Sequence, residues 1–309
     1  MAFRSSLVDD RRIPSWLKEN CFRLKDEGEN LRNLNLNIRR LSPAMILVLS
    51  EALRENTRIE TVNMTSSLSN TQRHRDAARI LIPLAYALRR HVSLKTIHLS
   101  YNQLKDATSF GVTLELNRSS LTELYLDHNR LNVDTAIALA RALRRNNKLS
   151  ILQLNSNNLG DEGGRIIAEA LRHNKGLKTL GLARNSLQKK TADELSRALD
   201  FDANVSLTHL SLCDNPGIPV ESERTIMYLV RANRAGRYLL RNDVSQDNSR
   251  ERDPGGDIGR GSKNRKTTDG NSNNENDYRS RLWPLVFEGL EPDMIYFFLR
   301  EKPRLLNSE

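Results

Sequence analysis

The chain has 309 residues, 38% apolar and only 5% aromatic, so it is long enough to bury a core without cross-links, built mainly from aliphatic side chains. Cys21 and Cys213 stand far apart with no CxxC, which excludes a disulfide framework and a cysteine-rich zinc site, and no apolar run approaches the roughly eighteen residues of a membrane span. Lys and Arg (48) exceed Asp and Glu (38), which raises an acidic or nucleic-acid partner and makes the placement of those charges decisive.

The first segment, residues 1–30, has no apolar stretch of the secretory type in 1–16. A cytoplasmic protein is expected, with the nucleus as the alternative. Residues 14–26, with Trp16, Leu17, Phe22 and Leu24, predict a short helix capping the segment that begins at Leu31.

From Leu31 one pattern recurs. LRNLNLNIRRL from Leu31 and IETVNMTSSLS from Ile59 are looser copies. LKTIHLSYNQL from Leu94, LTELYLDHNRL from Leu121, LSILQLNSNNL from Leu149 and LKTLGLARNSL from Leu177 are close ones, and LTHLSLCDNPG begins at Leu207. The starts are separated by 28, 35, 27, 28, 28 and 30 residues. Alternate leucines such as Leu124 and Leu126 point to one side of a short strand, and Glu123, Tyr125 and Asp127 to the other. A single copy cannot bury its leucines, so copies must stack. The Asn at the ninth place (Asn102, Asn129, Asn157, Asn185, Asn215) falls where the chain turns, and its amide can satisfy backbone groups left there.

The LxxLxLxxNxL pattern resembles the leucine-rich repeat, and its period of 28 residues resembles the ribonuclease-inhibitor-like branch. The resemblance covers about residues 31–241 and implies an α/β solenoid of about seven repeats, a horseshoe with parallel strands on the concave face and helices on the convex face. It says little about function, because that branch hosts unrelated activities.

Between strands the spacing turns helical: Leu81, Leu84, Ala85 and Leu88; Ala136, Leu139, Ala140 and Leu143; Gly164, Ile167, Ala168 and Leu171. Residues 110–116, with Gly111, Val112 and Thr113, predict a short or irregular turn instead. Arg54, Arg89, Arg90, Arg144, Arg145 and Arg172 fall at helix ends, where cations oppose the helix dipole, and Asn56, Asn146 and Asn174 after them are expected as left-handed caps. The surplus of the long second interval lies in 65–76 and is read as a loop beside the concave face. Residues 242–281, with eight acidic and eight basic residues and no leucine, read as a disordered linker. Residues 282–309 regain aromatics (Trp283, Tyr296, Phe297, Phe298) and read as a short helical tail.

No phosphate loop, nucleophile elbow or metal-ligand spacing occurs, so no catalytic residue, metal or cofactor is expected. KNRK at 263–266 is read as a chance match. The twenty-one outward places of the seven copies hold no Lys or Arg and two acids. The arginines carry no interleaved aromatics, which disfavours nucleic acid. His98, Tyr125 and Gln153 share one place in three successive copies and should lie side by side about 5 Å apart. Glu123 and Asp127 flank Tyr125, Asn155 stands two places after Gln153, and Tyr101 and His128 fall near the strand exits. An amphipathic aromatic ringed by polar and acidic groups has the composition of an interaction hot spot. The expected partner-binding set is therefore His98, Tyr101, Glu123, Tyr125, Asp127, Gln153 and Asn155, on a non-enzymatic scaffold for a protein or peptide. The alternative is a small-GTPase activator resembling the Ran GTPase activating protein.

Overall fold

The computed structural model describes residues 13–26, 31–68, 80–200 and 203–234. The linker and tail expected beyond residue 241 lie outside them, as does most of the loop at 65–76. The chain divides into two compact units, Met1–Met227 and Tyr228–Glu309. The first opens with α1 (Ser15–Lys25) and then alternates strand with helix: β1 (Asn33–Asn35), α2 (Pro43–Glu55), β2 (Thr61–Asn63), α3 (Leu81–Leu88), β3 (Thr96–His98), α4 (Thr108–Glu115), β4 (Glu123–Tyr125), α5 (Val133–Arg145), β5 (Ile151–Gln153), α6 (Gly160–Leu171), β6 (Thr179–Gly181), α7 (Lys189–Ala198) and β7 (His209–Ser211). The last helix, α8 (Val220–Arg234), contains the boundary between the units.

The seven strands form one parallel sheet in chain order, and each helix from α1 to α7 packs on its neighbour in sequence. This is a leucine-rich repeat solenoid. Every strand buries its middle residue, and the register pairs Leu34, Val62, Ile97, Leu124, Leu152, Leu180 and Leu210 into one file. Leu36, Met64, Leu99, Leu126, Leu154, Leu182 and Leu212 form a second buried file. Each copy is completed only by the next, so the core is a chain of nearest-neighbour contacts.

Asparagines close the array at both ends of its strands. Beyond the strand exits, Asn102, Asn129, Asn157 and Asn215 each donate at 2.8–3.0 Å to two backbone carbonyls, one in their own copy and one in the copy before. The Asn129 Oδ1 in turn accepts from the backbone of Asn102 and Leu104. In the first copy Arg39 takes this place, and its guanidinium lies 5.2 Å from the Trp16 ring of α1.

The second row corrects the helix-cap expectation. Asn56 and Asn146 are extended, not left-handed, and Asn174 has no positive φ. They reach backwards instead: Asn56 donates to Leu24, Asn146 to Leu114 and Asn174 to Leu143, each at the end of the preceding copy's helix. Their Oδ1 atoms accept from the two backbone N–H groups that lead into the next strand. Asn204 does the same. His91 stands in this row with its Nδ1 accepting from Leu94, and burial pushes its pKa down to about 4. A bridge between copies removes more orphaned backbone groups than a cap would.

The expected irregular turn at 110–116 is also corrected: Thr108–Glu115 is a helix. Its propensity is poor, but Phe110, Thr113 and Leu114 are buried and the Thr113 hydroxyl donates to Ala85 of α3. At Gly111 a Cβ would stand 2.6 Å from the Ala138 backbone, so the glycine is what lets α5 pack against α4. Packing overrides propensity here. In α1 the buried residues are Leu17, Cys21 and Leu24, whereas Trp16 and Phe22 are half-exposed. Several helix-end arginines make exposed ion pairs to neighbouring copies, among them Arg144 to Glu169 and Arg145 to Glu115.

Candidate partner-binding face

A three-residue strand with its middle residue buried turns its two outer residues to the opposite side of the sheet. The register sets His98 beside Tyr125, Tyr125 beside Gln153 and Gln153 beside Gly181. His98 and Tyr125 stack, with ring centroids 4.4 Å apart and planes 19° apart. Burial lowers the His98 pKa against the pull of Glu123 and, with the Glu123 charge, raises that of the Tyr125 phenol. The pair is a neutral imidazole on a neutral phenol.

The third residue beyond each strand turns left-handed without a glycine: Ile38, Ser66, Tyr101, His128, Ser156, Arg184 and Asp214 have φ between 52° and 61°. From Ile38 to Arg184, each donates its N–H to a carbonyl of the following copy, as Tyr101 does to Asp127 and His128 to Asn155. The ladder therefore continues past the strands and holds these side chains in file. Tyr101, 52% exposed, stacks on His128 with centroids 4.2 Å apart and planes 9° apart. Two stacked pairs thus bridge the same two copies, one on the sheet and one at its exit.

The carboxylates are ordered by the face itself. Glu123 Oε2 accepts from the Tyr125 and Thr96 hydroxyls, both at 3.2 Å. Asp127 Oδ1 accepts from the Asn155 backbone at 2.9 Å and its amide at 2.8 Å. Burial raises the Asp127 pKa despite those donors and nearby His128.

The other expected members are placed differently. Gln153 shares the row but does not complete the stack: its Oε1 accepts from Asn155, and together the two amides fill the space above Gly181. Asn155 Oδ1 accepts from the Ala183 backbone, so Asn155 is tied into the sheet. Gly181 and Ala183, expected at the surface by their places, are buried. Sequence spacing puts His128 only near an exit, and its place next to Tyr101's in the repeat is the signal for the pair. Gly181 has no signal in its own copy, because its role is to make room for residues of the copy before.

Among the described residues no helix is long and apolar enough to cross a membrane, and no cluster of three or more His, Cys, Asp or Glu could hold a metal.

Residues 145–168 match the family described as leucine rich repeat. No curated protein matches the chain. The chain is similar to solved structures of leiomodin-1 actin-binding site 2 (18% identity, TM-score 0.35, covering 76% of this chain and 99% of that one). It is also similar to the tropomodulin C-terminal domain of Caenorhabditis elegans (15%, 0.34, covering 74% and 98%). A third is an internalin, inlF, of Listeria monocytogenes (17%, 0.33, covering 57% of this chain and 47% of that one).

Proposed function

We propose that this leucine-rich repeat protein is a non-enzymatic scaffold that receives a protein or peptide on the outward face of its sheet, centred on Tyr125. The observation that carries the reading is the pair of adjacent aromatic stacks, His98 on Tyr125 and Tyr101 on His128; the twenty-one outward strand places hold no Lys or Arg, and Arg184, in the same exit file as Tyr101 and His128, is paired with Asp214. Stacking fixes the rings before a partner arrives, so little side-chain entropy is lost on contact. Tyrosine offers apolar area together with a hydroxyl, the combination enriched at binding hot spots.

The test is capture of binding partners by the full chain and by its Tyr125→Ala and Asp127→Ala variants, followed by titration of whatever the native chain retains. Tyr125→Ala should weaken the bound partner by about 2 kcal/mol, some thirtyfold, with the melting temperature little changed. If both variants hold every partner at native affinity, the centre lies elsewhere. Stimulation of GTP hydrolysis in a panel of small GTPases would replace the scaffold reading with the activator alternative.

A further inference from the structure

Tyr125 has one ring face against His98. Gln153, its neighbour on the other side, does not cover the second. Even a methyl group on Gly181 would collide with the Gln153 Oε1 and Asn155 Nδ2, so the Gln153 amide lies over β6, on the far side of its own strand from Tyr125. No aromatic ring or cation among the described residues stacks on the second ring face. Glu123 and Asp127 stand before and after it along the chain. Glu123 Oε2 takes both hydroxyl donors, which leaves Oε1 for a ligand. Neither carboxylate has an ion-pair partner among the described residues, whereas nearby Glu60 is held by both Arg32 and Lys95.

A chain of net charge +10 thus carries, on one face, two unpaired carboxylates beside an aromatic ring with one unstacked face. An anionic ligand would meet like charge here, and a purely apolar one would cover both carboxylates without a countercharge. A cation meets a complementary site. A planar guanidinium suits it better than an ammonium, because it stacks on a ring while its edge donates to carboxylates. The net positive charge of the chain selects further: a polybasic segment is repelled in proportion to its charge, and one isolated cation far less.

We infer that the segment docking on this face is neutral or acidic apart from a single arginine, which lies on the unstacked face of Tyr125 between Glu123 and Asp127. This rests on the binding reading above and names the chemistry of its partner.

The experiment pans a random-sequence peptide library on the full chain, with counter-selection on the Tyr125→Ala chain, and measures Kd for the enriched peptides. The expected peptides carry one arginine. Its replacement by citrulline, which keeps the shape and removes the charge, should weaken binding about tenfold, as should Glu123→Gln in the protein. The amide oxygen introduced by Glu123→Gln would still accept from Thr96 and Tyr125, so the variant retains the local hydrogen bonds, and its melting curve verifies the fold. Tyr125-dependent peptides that lack arginine, that are polybasic, or that tolerate citrulline overturn this inference and leave the binding face standing. Failure to enrich any Tyr125-dependent peptide overturns both.

Discussion

Leu124 and Tyr125 are neighbours in sequence on opposite sides of one strand. On the side of Leu124 every copy places an aliphatic residue at the same register: Leu34, Val62, Ile97, Leu124, Leu152, Leu180 and Leu210. On the side of Tyr125 the corresponding residues are Asn35, Asn63, His98, Tyr125, Gln153, Gly181 and Ser211, six residue types in seven copies. Stacking makes the same demand of every copy's buried side, and no such demand of its outward side. Residues that recur are therefore held by the fold, and residues that occur once are free to answer to something outside it.

The largest test of that contrast is a pair of truncations at adjacent positions. Leu152→Ala removes a fully buried side chain from between Leu124 and Leu180 and should cost about 3–4 kcal/mol in denaturant unfolding. Gln153→Ala removes one amide bond to Asn155 and should cost less than about 1 kcal/mol. Equal costs at the two positions would erase the distinction between the sides.

A sharper test uses a residue that occurs once but sits on the recurring side. His91 stands where Asn56, Asn146, Asn174 and Asn204 stand in other copies, and its Nδ1 accepts the Leu94 N–H as their Oδ1 atoms accept from the next strand. Only a neutral imidazole has that acceptor. Its folded-state pKa of about 4 lies below the ordinary 6.5, so the unfolded chain takes up the proton first as pH falls. Stability from this group is complete above 6.5 and is lost towards 4, a loss on the order of 2–3 kcal/mol. His91→Asn keeps the acceptor without the titration. Urea unfolding of the two proteins across that window should show the native chain losing more stability, and parallel curves would refute the role given to His91.

The same contrast governs what is legible in the sequence alone. Both leucine files, the parallel order and the exit asparagines are legible there, because a requirement repeated in every copy leaves a periodic trace. The shared row of His98, Tyr125 and Gln153 follows from that period. The stacking of His98 on Tyr125 does not, since ring orientation depends on χ angles that no spacing encodes. The left-handed turn before the exit asparagines is hidden because Tyr101, His128 and their equivalents are not glycines, and hydrogen bonds from the next copy hold the turn. Asn146 looks like a cap in the sequence because its partners, Leu114 and Leu149, lie in different copies. The helix at Thr108–Glu115 is underestimated because what stabilises it is the approach of α5, not its own sequence.

Two glycines carry the comparison to smaller effects. A methyl at Gly111 meets the Ala138 backbone, which cannot move aside, whereas one at Gly181 meets the ends of the Gln153 and Asn155 amides, which can. Gly111→Ala should therefore cost about 2 kcal/mol of overpacking, measured by denaturant unfolding. Gly181→Ala should cost less and act instead on the face, driving the Gln153 amide back towards Tyr125. Weakened peptide binding with a nearly native melting curve is the expected result. A loss of stability as large as that of Gly111→Ala would mean that the outward side is as rigid as the buried one.

The smallest effect concerns Asp127, where stability and binding should move in opposite directions. Burial raises its pKa above the ordinary carboxylate value even though Asn155 donates to it twice and His128 stands nearby. The folded chain therefore binds this proton more readily than the unfolded chain, so the ionised form costs stability at neutral pH. That cost fades as the pH falls through the raised pKa and is gone below the ordinary value, near pH 4. Asp127→Asn keeps an Oδ1 to accept from Asn155 and removes the charge. It should raise stability slightly, within about 0.5 kcal/mol, at pH 7, with the difference from the native chain closing by about pH 4. In the same variant, arginine-bearing peptides selected on the native chain should bind more weakly. A variant that loses stability at pH 7 would show Asp127 to be a structural residue and move it from the binding face to the scaffold.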